Sequence, residues 1–381
     1  MLIQKALVLM DDFHFERADV RCENGLISEI GELYPSSGEA VTDADGRYLI
    51  PGLIDVHTHG YFGCSCASKD PDKQRRLSRA LAKEGVTGYA AGLATMPEEH
   101  YRPSIEANLR AAKSFDESAP SGARLLGIHL EGPFLNREKK GAMRESCLQM
   151  PSVERLKAYI EAGEGLVKIM TIAPELPGAE EVIRYGVSHN VKMSMGHTNA
   201  LRAEARLGAD WGISRATHVF NAMRSLNHRE SGVLGVSLTD DRIQCELIGD
   251  LVHVAPEVCL MVYRLKGAEK VTLISDSCEL AGLTNEMLPE GLPYVIRDAA
   301  YLKDGTLCGS TCTVMTCMKN MVSLGIPLAE AVKMASLNPA RDLSLDDKFG
   351  SITLGKAADL VLLSDDLSPE KVWIGGVPLS D

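Results

Sequence analysis

The chain has 381 residues, 45% of them hydrophobic and 24% charged, with a formal net charge of −12. That length suits a (β/α)8 barrel of roughly 250 residues with a smaller unit attached, and the composition is that of a globular protein with a large buried core. The acidic balance speaks against nucleic-acid or anionic-membrane partners, which select basic patches, and no apolar run is long enough to span a bilayer.

The opening stretch MLIQKALVLMDDF has no basic start, long apolar core or small-residue cleavage site, so a cytoplasmic location is expected. Residues 1 to 50 read as short strands: LIQKALVLM, then ADVRCENGLISEIGEL with a hairpin signal at Asn24-Gly25, then RYLIPG. From Leu53 onward apolar runs alternate with amphipathic stretches, which predicts βα units and a parallel sheet.

Eight candidate strands end near LIDVHTH, GYAAGLAT, LLGIHLE, LVKIMTIA, VKMSMGH, SRATHVF, CELIGDLVH and VTLISDS. Eight such units close a TIM barrel. Segments such as PDKQRRLSRALAKEG and PGAEEVIRYGVSHN carry apolar residues at helical spacing and end in Gly or Asn. An excursion at 283–309 with an Asp304-Gly305 turn reads as a hairpin or loop, followed by helices at about 311–323 and 327–337. The tail from Gly350 returns to strands. We expect residues 1–50 and 346–381 to form one small β-sandwich domain beside a catalytic barrel of residues 51–345, because neither end alone has enough apolar surface for a core.

The ten cysteines lack the paired CxxC spacing of a zinc ribbon and read as reduced, mostly buried thiols. His57 and His59 end the first predicted barrel strand. Side chains alternate along a strand, so both imidazoles point to one face. A lone HxH is weak, since histidine is also common in satisfied polar cores. The signal grows because Glu131 in HLEGP, His197 in GHT and His218 in THVFN also sit where predicted strands end, and in this fold active sites lie at the C-terminal mouth. Such a cluster repels itself unless a cation neutralises it, which makes the five residues candidate metal ligands.

Asp276, within ISDS at the end of the eighth predicted strand, faces the same mouth. A metal brings the pKa of bound water towards about 7, and a nearby carboxylate can take its proton and pass it to a leaving amine. The competing explanation for Asp276 is a helix N-cap; its place in the ligand series favours catalysis. His129 shares the face of Glu131 and reads as a core or supporting histidine. His14, His100 and His189 read as surface residues.

The chain resembles the N-acetylglucosamine-6-phosphate deacetylases of the amidohydrolase superfamily. The likeness covers nearly the whole sequence and rests on PGLIDVHTHG at 51–60, HLEGPFLNREKKGA at 129–142, GHTNA at 196–200, THVFNAM at 217–223, NHRESGVLG at 227–235, ISDSCELAG at 274–282, then LNPAR and GSITLGKAADLVLL. The resemblance implies removal of acetate from the amide nitrogen of an amino-sugar 6-phosphate. It implies that Glu131 takes the metal-binding or bridging role that a carboxylated lysine fills in relatives, with His197 and His218 completing the principal site. Some members of the family hold one ion and others, which keep the HxH pair, hold two, so retention of His57 and His59 implies one or two divalent ions per subunit, with zinc or iron the usual candidates. It also implies that Asn221, Ala222, Arg229 and His253 hold the sugar phosphate, with Arg229 reaching over from the neighbouring subunit of a homodimer. A guanidinium suits phosphate because its planar donors match two oxygens.

One departure stands out. Met143 occupies a position where the family commonly has a substrate-contacting histidine, and a thioether cannot donate that hydrogen bond. This keeps open a different N-acyl substrate such as N-acetylgalactosamine 6-phosphate. A non-catalytic scaffold of the dihydropyrimidinase-related kind is the alternative from another class, and it conflicts with the full set of ligand residues.

Overall fold

The structure, a computed structural model, describes residues 1–288 and 294–379. Eight parallel strands alternate with helices: β1 (Leu53–Thr58), β2 (Val86–Ala94), β3 (Arg124–Glu131), β4 (Val167–Ile172), β5 (Lys192–Met195), β6 (Arg215–Ala216), β7 (Gln244–Ile248) and β8 (Val271–Ile274). They are hydrogen-bonded in sequence order from β1 to β8. The remaining gap is bridged at the C-terminal ends, where the Asp276 N–H donates to the His57 carbonyl (2.9 Å) and the His59 N–H to the Ser277 carbonyl (2.7 Å). Asp55 ties the same two strands together. Its buried carboxylate accepts the His57 N–H at 3.1 Å and the Ser275 hydroxyl.

Two strands stop earlier than the sequence pattern predicts, each for a local reason. After β6 the chain turns into left-handed conformations, with φ of 29° at His218, 77° at Phe220 and 49° at Ala222, so SRATHVF is extended only at its start. After β7 the Asp250 carboxylate accepts the N–H groups of Val252 and His253, both at 2.9 Å. This Asx-type turn ends the extended run before His253.

The helices carry their own signals. The helix Pro71–Lys83 starts with Asp70 accepting the Asp72 N–H (2.9 Å) and with proline at its first position, where a missing N–H costs nothing. Leu77 and Leu81, one turn apart, are buried on its inner face. Two helices follow the barrel at Val314–Ser323 and Leu328–Ala335, within the predicted windows. Of the predicted excursion, strands Tyr294–Ile296 and Ala300–Leu302 form an antiparallel hairpin, and 289–293 lies outside the described residues.

The terminal segments build one eight-stranded sheet in which Leu360–Leu363 pairs antiparallel with Tyr48–Pro51. The Asn24-Gly25 turn connects Phe15–Glu23 to Leu26–Gly31, with both central residues at positive φ (51° and 82°), as a type I′ hairpin requires. The sheet curls until Leu26 meets Ala357, enclosing a core that includes Ile3, Val20, Leu49, Leu360 and Trp373. Among the described residues no helix is long and apolar enough to cross a membrane.

Candidate active site

The barrel interior is unusually polar. His129, Thr171 and Thr217 are all buried. The His129 Nδ1–H donates to the Val56 carbonyl (3.2 Å) while its Nε2 accepts from the Thr171 hydroxyl (2.8 Å), which continues to Thr217 at 2.8 Å. Burial and the neighbouring His57 push its pKa down to about 3. His129 is therefore a neutral, fully bonded core histidine.

Above it the sequence-predicted residues converge. His57, His59 and Asp276 bring ligand atoms within 4.8 Å of one another, as do Glu131, His197 and His218. Glu131 joins the two groups. Its Oε1 lies 3.0 Å from His197 Nε2, 2.9 Å from His218 Nε2 and 3.5 Å from His57 Nε2, while its Oε2 lies 3.2 Å from His59 Nε2. Asp276 Oδ1 is 3.3 Å from His59 Nε2 and 3.7 Å from His57 Nε2.

The outward-facing nitrogens of three of these histidines are engaged. Nδ1 of His57 meets Glu246 at 3.0 Å, that of His59 the Gly92 carbonyl at 3.0 Å, and that of His197 the Lys139 carbonyl at 2.9 Å. Each acceptor fixes the proton on Nδ1 and leaves the Nε2 lone pair facing the shared space. Gly92 has to be glycine for this. A Cβ there would come within 2.6 Å of the Thr58 carbonyl and 2.9 Å of His59 Nδ1.

Among the described residues His57 Nε2 and Glu131 Oε2 are buried without a hydrogen-bond partner. Unpartnered lone pairs on an inward-pointing imidazole and carboxylate are what a cation between them would satisfy, so the donor set fits a divalent metal. Without an ion the carboxylates draw protons to the same imidazoles, and a metal would bind by displacing them. Burial opposes charge on both His57 and His59, yet Glu246 and Glu131 hold the first well above its usual value, and Glu131 with Asp276 lifts the second to about 10. Burial likewise opposes ionisation of Glu131 and Asp276, and the histidines outweigh it in both, chiefly His59. His197, His218 and Asp276 sit at positive φ (46°, 29° and 49°), and non-glycine strain of this kind clusters at functional sites.

The cluster floors a cavity of about 530 Å³ whose walls include Asn221, Ala222, His253 and Met143. The carboxylate of Asp250 holds His253 Nδ1 at 2.6 Å. Arg229 lies elsewhere, exposed, with its guanidinium against His228 Nε2 at 2.7 Å, and it does not line this chain's own cavity. His14, His100 and His189 are exposed, as expected from the sequence; His100 in addition forms part of the cavity rim.

Three supporting carboxylates escaped the sequence reading: Asp55 at the barrel closure, Glu246 behind His57, and Glu175. The last accepts bonds from Asn136 Nδ2 (2.8 Å), the Asn199 N–H (2.7 Å) and the Thr198 hydroxyl, fastening the loop that carries His197. Asp55 did carry a signal, as an acid two residues before the HxH on the same strand face.

A model of the amidohydrolase family matches residues 48–379. The N-acetylglucosamine-6-phosphate deacetylase of Bacillus subtilis (strain 168) is 35% identical over 373 residues, covering 96% of this chain and 93% of that protein. The N-acetylgalactosamine-6-phosphate deacetylase of Escherichia coli O157:H7 is 32% identical over 377 residues, covering 97% and 96%. Among solved structures, the N-acetyl-D-glucosamine-6-phosphate deacetylase of Mycobacterium smegmatis matches over all of both chains with a TM-score of 0.91 at 29% identity. An aspartate-to-alanine mutant of that enzyme, in complex with N-acetyl-D-glucosamine 6-phosphate, matches at 0.90 and 28% over 100% of this chain and 99% of that one.

Proposed function

Since the chain belongs to the amidohydrolase family, we propose that it hydrolyses N-acetylglucosamine 6-phosphate to glucosamine 6-phosphate and acetate. The observation that carries this is the convergence of His57, His59, His197 and His218 with two carboxylates beneath a cavity walled by Asn221, Ala222 and His253.

In this reading Glu131, His197 and His218 would hold one divalent cation, and His57, His59 and Asp276 would hold a second where two bind, zinc or iron being the candidates. Such a cation supplies Lewis acidity, polarising the amide carbonyl and making water easier to deprotonate. The rest is done by the chain. Asp276 stays ionised despite its burial because His59, His57 and His218 favour its charged form, so it can take the proton of the attacking water. It then returns that proton to the amino-sugar nitrogen as the C–N bond breaks. His253, oriented by Asp250, meets the phosphate from within the subunit; Asn221 and Ala222 position the sugar. Arg229 completes the phosphate site from the partner subunit of a homodimer. The barrel, 51–345, carries the chemistry, and the terminal unit of 1–50 with 346–381 braces it.

Met143 on the cavity wall favours one second reading, in which the preferred sugar is N-acetylgalactosamine 6-phosphate. A panel of phosphorylated and unphosphorylated N-acetyl sugars decides between them. The phosphorylated gluco epimer is expected to have the highest kcat/KM, and Arg229→Ala to weaken it roughly 30- to several-thousand-fold, the usual effect of truncating one partner of a charge-assisted pair. Equal turnover with and without phosphate would remove the sugar-phosphate assignment. A protein free of bound transition metal and indifferent to chelators would remove the metal.

A further inference from the structure

Behind the first pair of histidines lies a buried ionic network that the proposed chemistry does not use. Glu246 on β7 is fully buried, and both of its oxygens are occupied by donors. Oε1 accepts from Arg215 Nη2 at 2.7 Å; Oε2 accepts from His57 Nδ1 at 3.0 Å and from the His218 N–H at 3.2 Å. Arg215, itself buried, turns its other arm to Asp342, which also takes the Thr272 hydroxyl at 2.7 Å. A buried charge pair of this sort is expensive unless its hydrogen bonds are well satisfied; here both Glu246 oxygens are satisfied, by His57 on β1, Arg215 on β6 and the His218 N–H just beyond it, while Arg215 Nε has no partner among the described residues. His57 is also the only one of the three outward-bonded histidines whose acceptor is ionised; His59 and His197 lean on neutral carbonyls.

We propose that Glu246, clamped by Arg215, is a positioning residue for the metal centre. It fixes the proton of His57 on Nδ1, keeps Nε2 as a free lone pair facing Asp276 and Glu131, and through the His218 N–H holds the turn that aims His218. The inference rests on the metal reading above and adds to it the residue that sets the affinity of the first donor set. It also accounts for a carboxylate rather than an amide at this position. A glutamine would have to turn its NH2 either against the Arg215 guanidinium or against His57 Nδ1. The second orientation favours the opposite tautomer, whose Nε2–H cannot ligate. Outer partners of metal-bound histidines generally change affinity by about 10- to 100-fold.

The test titrates the holoenzyme against a buffered chelator, reading bound zinc by mass spectrometry in wild type, Glu246→Gln and His59→Ala, with thermal unfolding followed in parallel. His59→Ala marks which binding step belongs to the first donor set. The expected result is that Glu246→Gln weakens that step about 10- to 100-fold, shifts the Glu131/His197/His218 step far less, and adds nothing further in a His57→Ala background. A lower unfolding midpoint with unchanged zinc affinity would make Glu246 merely structural and overturn the inference alone. If wild type and His59→Ala bind the same number of ions with the same affinities, the first donor set is not a metal site, and the inference falls together with that reading. Should Glu246→Gln fail to fold, Glu246→Asp keeps the charge beside Arg215 but is one methylene short of His57, and its first-step affinity should still drop; an unchanged value would equally refute the role.

Discussion

Two clusters of buried charge in this molecule have opposite character. At the seam between barrel and terminal sheet, Arg124 at the start of β3 meets Asp359 through two bonds, Nε to Oδ2 at 3.0 Å and Nη2 to Oδ1 at 3.3 Å. The Gly375 N–H completes the set at 2.7 Å. At the mouth, six ionisable groups crowd together while His57 Nε2 and Glu131 Oε2 are left without a hydrogen-bond partner among the described residues. Both clusters are largely buried, the mouth open only where His59 and Asp276 face the cavity, so burial alone does not distinguish a site from a brace. What distinguishes them is leftover bonding capacity: the seam uses its donors and acceptors among themselves, and the mouth keeps some in reserve for something the chain does not supply.

The comparison is broken most sharply from the mouth. Asp276→Asn keeps the size of the side chain but removes its ability to accept and return a proton. Turnover should fall about 10²- to 10⁴-fold, the usual contribution of a positioned acid/base, while the unfolding midpoint stays near wild type. Near-normal turnover in steady-state assays would mean another group moves the proton.

The seam should answer in the opposite way. Asp359→Ala leaves the Arg124 guanidinium without its buried carboxylate; what it keeps is the largely exposed Glu117 and the faces of Phe115 and Phe349. Breaking a buried pair costs about 3–5 kcal/mol, with the lower end expected because Glu117 and solvent relieve part of the charge. Urea unfolding should show that loss, while kcat/KM per folded molecule is unchanged. A comparable loss of activity per folded molecule would mean that the terminal sheet shapes the mouth rather than merely bracing the barrel.

The same contrast explains what could be read from the sequence. His57, His59, Glu131, His197, His218 and Asp276 were legible because a parallel barrel brings all strand ends to one mouth, so position along each βα unit stands in for position in space. Glu246 was not legible. Its partner His57 is 189 residues away, and nothing local in CELIGD separates a buried relay from a solvated acid. Early ends of β6 and β7 were hidden for a related reason: side-chain capping by Asp250 and left-handed turns at His218, Phe220 and Ala222 override an apolar run. His100 is exposed as expected, and its place at the cavity rim carried no local signal.

The smallest expected effect concerns His253, which belongs to the mouth but is satisfied like the seam. Burial works against its charge, and Asp250, with weaker help from Asp276 and Asp298, more than compensates, so its pKa is raised above 6.5. A raised histidine keeps its positive charge further up the pH scale. Attraction for the substrate phosphate is thus complete below the ordinary value and is lost as pH rises through the raised one. KM for the phosphorylated sugar should accordingly climb on the alkaline side, and KM for the unphosphorylated sugar should not. Asp250→Asn removes the main source of the shift and should move the onset of that climb to lower pH. At neutral pH this amounts to about 1 to 1.5 kcal/mol, or roughly 5- to 10-fold in KM, the scale of one charge-assisted hydrogen bond. Because Asp250 also accepts the N–H groups of Val252 and His253, the unphosphorylated sugar serves as the internal control: if its KM rises in parallel, the variant has disturbed the loop, and the imidazolium is not what holds the phosphate.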